Sequence, residues 1–271
     1  MAPDMRLHVE HTTRYRYDTP VAYALQQVRL TPKERPGQQL IHHWDIAVEG
    51  GEHQLHYSDH HGNGVDLIAV HGGADELVIR CTGEVELVTW DGVIGAHRGA
   101  MPLWTFLRPT ALTRAGRGVR ALATELGRDF ANDIERAHAL SALILDRLAY
   151  RIGVTTAETT AEQALAGEGG VCQDHAHIFI AAMRHLGHPA RYVSGYLMMD
   201  DRTHQDATHG WAEAHFDHIG WIGFDISNGQ SPDRRYIRVA TGLDYRDAAP
   251  VRGMRYGAAQ ENLVVQLQVQ Q

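Results

Sequence analysis

The stretch from Gly169 to Leu186, GGVCQDHAHIFIAAMRHL, organises the chain because it sets one cysteine at the start of a helix. Apolar residues recur at Ala176, Phe179, Ile180, Met183 and Leu186, a spacing that puts them on one helical face. Gly187 supplies a residue suited to the left-handed conformation past a helix end, and Pro189 prevents continuation. The glycines before Val171 end the preceding segment, so the helix starts near Cys172. A thiol there faces unpaired N–H groups and the positive end of the helix dipole, and both favour the thiolate. By itself this pattern fits a packed cysteine as readily as a reactive one.

The residues that follow separate the two. Residues 190–197, ARYVSGYL, read as a strand; after the polar loop DDRTHQDAT comes HGWAEAHF, with period-two character, then a turn at Asp217–Gly220 and WIGFDIS. If these are adjacent antiparallel strands packed on the Cys172 helix, His209 and Asp225 both come within reach of the thiol. Such a set is what acyl transfer through sulfur requires. The thiolate attacks a carbonyl carbon, an imidazole moves the proton, and a carboxylate fixes the imidazole's tautomer.

The segments GVCQDHAH, ARYVSGYL, THGWAEAHF and GWIGFD, in that order, resemble the core of the bacterial transglutaminase-like proteins within the papain-like cysteine enzymes. The opening LHVEHTTRYRYDTPVAYALQQVRLTP is similar to the β-rich N-terminal region that precedes that core in many members. The resemblance implies that Cys172 is the nucleophile, His209 the general base and acid, and Asp225 the residue that orients the imidazole. Tyr150 matches a tyrosine often found upstream of the cysteine. It and the Cys172 backbone N–H are the candidate oxyanion donors. The family more often has alanine where Gly210 stands, and Asp-Pro-Thr in place of Asp225-Ile226-Ser227. Cleavage of peptide or isopeptide bonds is the first expectation, with a peptide or protein as substrate. Transamidation and a non-catalytic peptide-binding module are the alternatives.

Composition narrows the rest. A chain of 271 residues with 44% apolar and 21% charged residues has the make-up of a soluble globular protein of one large or two modest domains. A formal charge of −8, with basic residues scattered, argues against nucleic acid and anionic membranes as partners. The opening residues have no apolar signal-like core, and a cytoplasmic protein is the expectation. Two cysteines are too few for a disulfide scaffold. Of 19 histidines, His42–His43, His60–His61 and the pair His175, His177 form clusters, yet none has the spacing of a zinc site. Neither a metal nor another cofactor is expected.

Upstream, residues 5–17 alternate as a half-buried strand, and further strands are expected over Gln27–Leu30, 41–48, His53–Ser58, Val65–Val70, Glu76–Arg80 and Gly83–Trp90. Residues 1–95 therefore read as a β-sandwich or a curved sheet packed on itself. Residues 96–116 form a connector carrying Trp104 and Phe106. The catalytic core is expected over 117–254, opening with helices near Arg117–Gly127 and Asp133–Tyr150. Thr160 to Gln163 reads as a capping box for a short helix. Asp174 is assigned to stabilising the Cys172 helix, since a second carboxylate beside a thiolate opposes ionisation. Asp244–Tyr256 reads as irregular, its arginines lining a groove or solvated. The alternation of Leu263, Val265, Leu267 and Val269 with glutamines predicts a last strand that returns to the N-terminal sheet, completing it with residues 255–271. The fold class is α+β: a β-sandwich-like domain joined to a papain-like, transglutaminase-like core.

Overall fold

The structure is a computed structural model and describes residues 4–88, 91–167, 169–256 and 260–271. Alternation in the opening residues produces β1 (Met5–Val28), in which Leu7, Val9, Tyr15 and Tyr17 turn inward while Arg6, Glu10 and Arg16 face solvent. This one strand replaces the two expected from the sequence. It runs on through Pro20, and its register against its neighbour shifts between Arg16 and Tyr23, which accommodates a residue with no N–H to give. Next come β2 (Gln39–Glu49), β3 (Glu52–Ser58) and β4 (Gly64–Leu87), with β3 and β4 forming the expected hairpin. β4 likewise joins stretches that read as separate strands. The strand expected over Gly83–Trp90 is seen to Leu87, and Thr89 and Trp90 lie outside the described residues.

β5 (Val93–Gly95) pairs with the second sheet rather than the first. A 3-10 turn at Leu103–Leu107 buries Phe106 against Trp221 and leaves Trp104 exposed. The helices are α1 (Arg117–Glu125), α2 (Asp133–Arg147), α3 (Ala161–Ala166) and α4 (Cys172–His185). In α3 the Thr160 side chain accepts the Gln163 N–H at 3.3 Å and the Gln163 side chain accepts the Thr160 N–H at 3.0 Å, as the sequence predicts. The chain continues as β6 (Ala190–Leu197), β7 (His204–Gln205), β8 (His209–Phe216), β9 (Gly220–Phe224) and β10 (Tyr236–Gly242). It ends as α5 (Tyr245–Ala248), β11 (Val251–Tyr256) and β12 (Glu261–Gln270).

Residues 244–256 are thus ordered, against the irregular segment expected. Asp244 caps α5 by accepting the Arg246 N–H at 2.8 Å, and β11 pairs with Tyr23–Val28 of β1. The arginines here have partners: Arg246 pairs with Glu158, and Arg255 with Glu261 at 2.9 Å.

One sheet runs β2-β4-β1-β12-β7, with β3 added to β4 and β11 to β1; the other runs β10-β6-β8-β9-β5 and is antiparallel throughout. The long β1 and β4 bend, so that Tyr15, Leu77 and Ile79 pack with Val28, Ile68 and Val70 from their other halves. The first sheet is sandwich-like because it folds over on itself. In the second unit α4 lies across β6 and β8 and is buried almost all round, with Phe179 against Phe224 and Ile178, Ile180 and Met183 in the same core. Each such side chain contributes about 1.5–3 kcal/mol, which fixes the helix, and the cysteine at its tip, relative to the sheet. Gly187, at φ 92°, ends the helix in the left-handed region. Among the described residues no helix is long and apolar enough to cross a membrane.

Candidate active site

Cys172 is the first residue of α4 and is partly exposed; the other thiol, Cys81, is buried, and both are free. Asp174 holds the start of the helix. Its Oδ2 accepts the Val171 N–H at 2.8 Å and the Thr155 hydroxyl at 2.7 Å, so the carboxylate serves the helix terminus as the sequence predicts. His175 and His177 diverge. His175 donates from Nε2 to the Leu148 carbonyl at 2.8 Å and accepts the Ser227 hydroxyl at Nδ1, also 2.8 Å. Burial pushes its pKa down, in favour of the neutral ring. Ser227, the departure from Asp-Pro-Thr, thus supplies the hydroxyl that ties α4 to the turn after β9. Nε2 of His177 accepts the Tyr245 N–H at 3.1 Å.

His209 opens β8 and Asp225 immediately follows β9, two strands paired through Ala212 and Phe224. The Nε2–H of His209 donates to Oδ2 of Asp225 at 2.6 Å, and both side chains are buried. That bond commits Nε2 and leaves Nδ1 to the Cys172 side, where the thiol acts on the same ring. Burial alone would lower the His209 pKa; the charge and hydrogen bond of Asp225, then the influence of Cys172, outweigh it and raise the ring to about 10. Burial acts upward on Asp225 in turn, yet His209, Asn228 and Tyr236 hold it below the usual carboxylate range. Asn228 Nδ2 donates to Oδ2 at 2.7 Å, as does the Tyr236 hydroxyl at 2.7 Å. The structure therefore brings Cys172, His209 and Asp225 into one row.

Tyr150 lies beside this row, half exposed, in a bridge to Gly170 and with its ring over His175 at 6.2 Å. Its phenol is pushed up by burial and then by Cys172, and the same two causes act on Tyr192 and Tyr245. Three phenols thus lie within electrostatic reach of the thiol where the sequence pointed to one. The only signal for Tyr192 was its place in the strand after the helix; Tyr245 and Tyr236 gave none beyond β-compatible or turn composition. Gly210 has a steric meaning here: a methyl group in its place would overlap the Tyr192 hydroxyl.

Among the described residues, His60, His61 and Asp247 bring ligand-capable atoms within 4.8 Å of one another. Asp247 already accepts from His61 at 3.2 Å and from the Leu243 N–H at 3.0 Å, which is ordinary hydrogen bonding for such a group. Of the other clusters, His42 pairs with Glu86 at 2.7 Å.

Residues 7–86 match the family model for the bacterial transglutaminase-like N-terminal region, and residues 120–226 match that of the transglutaminase-like superfamily. An uncharacterized protein of Mycobacterium tuberculosis is 30% identical over 294 residues, covering 97% of this chain and 91% of the relative. One of Mycobacterium leprae is 28% identical over 285 residues, covering 97% and 98%. A crystal structure of a candidate cysteine protease from Cytophaga hutchinsonii superposes with a TM-score of 0.78 at 22% identity, covering 99% of this chain and 91% of that one, and shows the same fold. With both of its regions matched in order, the chain belongs to the transglutaminase-like superfamily and carries the bacterial transglutaminase-like N-terminal region.

Proposed function

We propose that the protein is a cysteine-dependent hydrolase that cleaves peptide or isopeptide amide bonds through a thioester, with Cys172 as nucleophile, His209 as general acid and base, and Asp225 as the orienting carboxylate. The observation that supports this reading is the 2.6 Å bond from His209 Nε2 to Asp225, which leaves the other ring nitrogen for the sulfur at the tip of α4. The thiolate attacks the carbonyl carbon and the C=O electron pair moves to oxygen. At the first turn of a helix the Cys172 N–H has no intrahelical partner and is available to that oxyanion, with the Tyr150 hydroxyl as the second donor. Collapse breaks the C–N bond, and Nδ1–H of His209 gives its proton to the departing amine. Water then attacks the thioester, giving a proton back to Nδ1; the C–S bond breaks and the acid is released.

Digestion of casein by the wild type beside Cys172→Ala tests this. Fragments are expected from the wild type alone, loss of comparable depth in His209→Ala, and a residual rate in Asp225→Ala, because the orienting member of such sets is less essential. Cleavage persisting in Cys172→Ala sinks the proposal. Incorporation of a labelled primary amine into casein without fragments would assign transamidation instead.

A further inference from the structure

A second set of charged groups sits on another part of the core sheet. Glu213 of β8 is fully buried, and two arginines share its carboxylate. Arg191 Nε donates to Oε2 at 2.5 Å; Arg238 donates from Nε to Oε1 at 2.6 Å and from NH2 to Oε2 at 3.0 Å. One carboxylate balances one of these cations. Above them opens a cavity of about 420 Å³, whose walls add Lys33, Arg35 and Arg98 to Arg191 and Arg238. Among the described residues neither Lys33, Arg35 nor Arg98 takes part in an ion pair, and Asp59, the carboxylate nearest in influence to Lys33, is paired with Arg29 at 3.2 Å. Glu34 is the one acidic residue in the wall.

The cations are held in place. Gln39 donates to the Lys33 carbonyl at 2.8 Å and the Arg238 carbonyl at 2.9 Å and accepts the Arg238 N–H at 2.9 Å, which locks the 33–39 segment to β10. Arg35 donates to the Gln38 side chain at 3.2 Å, and the Arg191 guanidinium lies 3.8 Å from the Trp221 ring centroid. The crowding has a cost. Burial first, then the charges of Arg238, Arg191 and Arg98 against the opposing pull of Glu213, bring the Arg35 pKa down to about 9; burial and the charges of Arg238, Arg191 and Arg35, opposed by Asp59, lower Lys33. Tying β6, β8 and β10 together needs only the Arg191–Glu213–Arg238 trio. It does not account for three more cations converging on a hollow.

We propose that this cavity binds a polyvalent oxyanion of the phosphate class, with Arg35, Arg191 and Arg238 as its floor and Lys33 and Arg98 at its mouth. Guanidinium groups present paired N–H donors that match phosphoryl oxygens, and their prior fixation lowers the ordering cost of binding. The volume suits a small anion or a single phosphorylated group rather than a macromolecule.

Pyrophosphate is the probe, titrated by calorimetry and by thermal unfolding with ionic strength held constant by sodium chloride. One saturable site per chain is expected, with a rise in melting temperature that follows the ligand concentration as mass action requires. Arg35→Ala should weaken binding at least tenfold, and Lys33→Ala/Arg35→Ala further, with the alkylation rate of Cys172 unchanged in both. Without anion, Arg35→Ala should melt at or above the wild type, since it relieves repulsion. No saturation beyond the chloride control, equal affinity in wild type and double variant, tighter binding of citrate than of pyrophosphate, or a lower melting temperature of anion-free Arg35→Ala would each overturn the proposal.

Discussion

The Tyr236 hydroxyl donates to Oδ2 of Asp225 at 2.7 Å, on the same oxygen that receives the His209 ring N–H. The phenol lies on β10, with β6 and β8 between it and β9 in the sheet, and is itself braced by Gln230 Nε2 at 2.6 Å. Removing only the hydroxyl, in Tyr236→Phe, takes away a hydrogen bond to a charged group, a loss of about 1.5–3 kcal/mol. Urea unfolding should show that loss. Casein cleavage should fall less than in His209→Ala, and an unchanged unfolding midpoint would contradict the role.

Gly210 and Tyr192 predict a coupled pair. In Gly210→Ala the new methyl meets the Tyr192 hydroxyl, and overpacking of this kind costs about 1–3 kcal/mol. Tyr192→Phe removes the obstructing oxygen, so the double variant should recover part of the loss. Additive losses in a double-mutant cycle would show that the two residues do not share this space.

The two thiols should react differently. Iodoacetamide is expected to modify Cys172 and spare Cys81, which has no exposed surface and whose pKa burial pushes up to about 12. Mass spectrometry of native protein should find one adduct per chain, and a second only after denaturation. His209→Ala should slow the native reaction near neutral pH by at least tenfold, because the general base of the proposed mechanism is gone.

The buried pair also sets a pH window. The folded-state pKa of His209 is raised from 6.5 to about 10, so its stabilising contribution is full below 6.5 and disappears as pH climbs through 10. Asp225 is lowered from 3.8, so its contribution is full above that value and disappears as pH falls further. The stability advantage of wild type over Asp225→Asn should therefore be greatest between about pH 4 and 6.5. Urea titrations from pH 4 to 10 measure it; an advantage that grows toward pH 10 contradicts this sign.

Glu213 offers a test of the sheet itself. Breaking a buried ion pair from one side costs about 3–5 kcal/mol. Glu213→Ala leaves Arg191 and Arg238 facing each other with no carboxylate between them, so a loss of that size is expected in chemical denaturation. A loss below about 1 kcal/mol, the range of surface ion pairs, would mean that solvent already screens the trio.

Much of the core unit was legible because its signals are local. The apolar spacing that ends at Gly187, the alternation in ARYVSGYL and HGWAEAHF, and the Thr160–Gln163 cap each sit within one element. What escaped depends on distant partners. Pro20 reads as a strand end, and only pairing with both β4 and the C-terminal strands carries β1 past it. The two-residue β7 exists because Leu267 and Gln268 lie opposite. Asn228 and Tyr236 look like turn and strand residues until Asp225 lies between them. The cations around Glu213 come from the 33–39 segment, the 94–99 segment, β6 and β10, and no window of sequence shows them together.

β12 lies against β1 from His8 to Tyr17, so β1 pairs with a strand made long after it. Until residue 270 has emerged, the nascent β1 exposes a bare edge of N–H and C=O groups, the kind of template on which unfinished chains aggregate. Closure of that edge therefore waits until β12 has been made. Deleting β12 should therefore leave a β1 edge prone to aggregation.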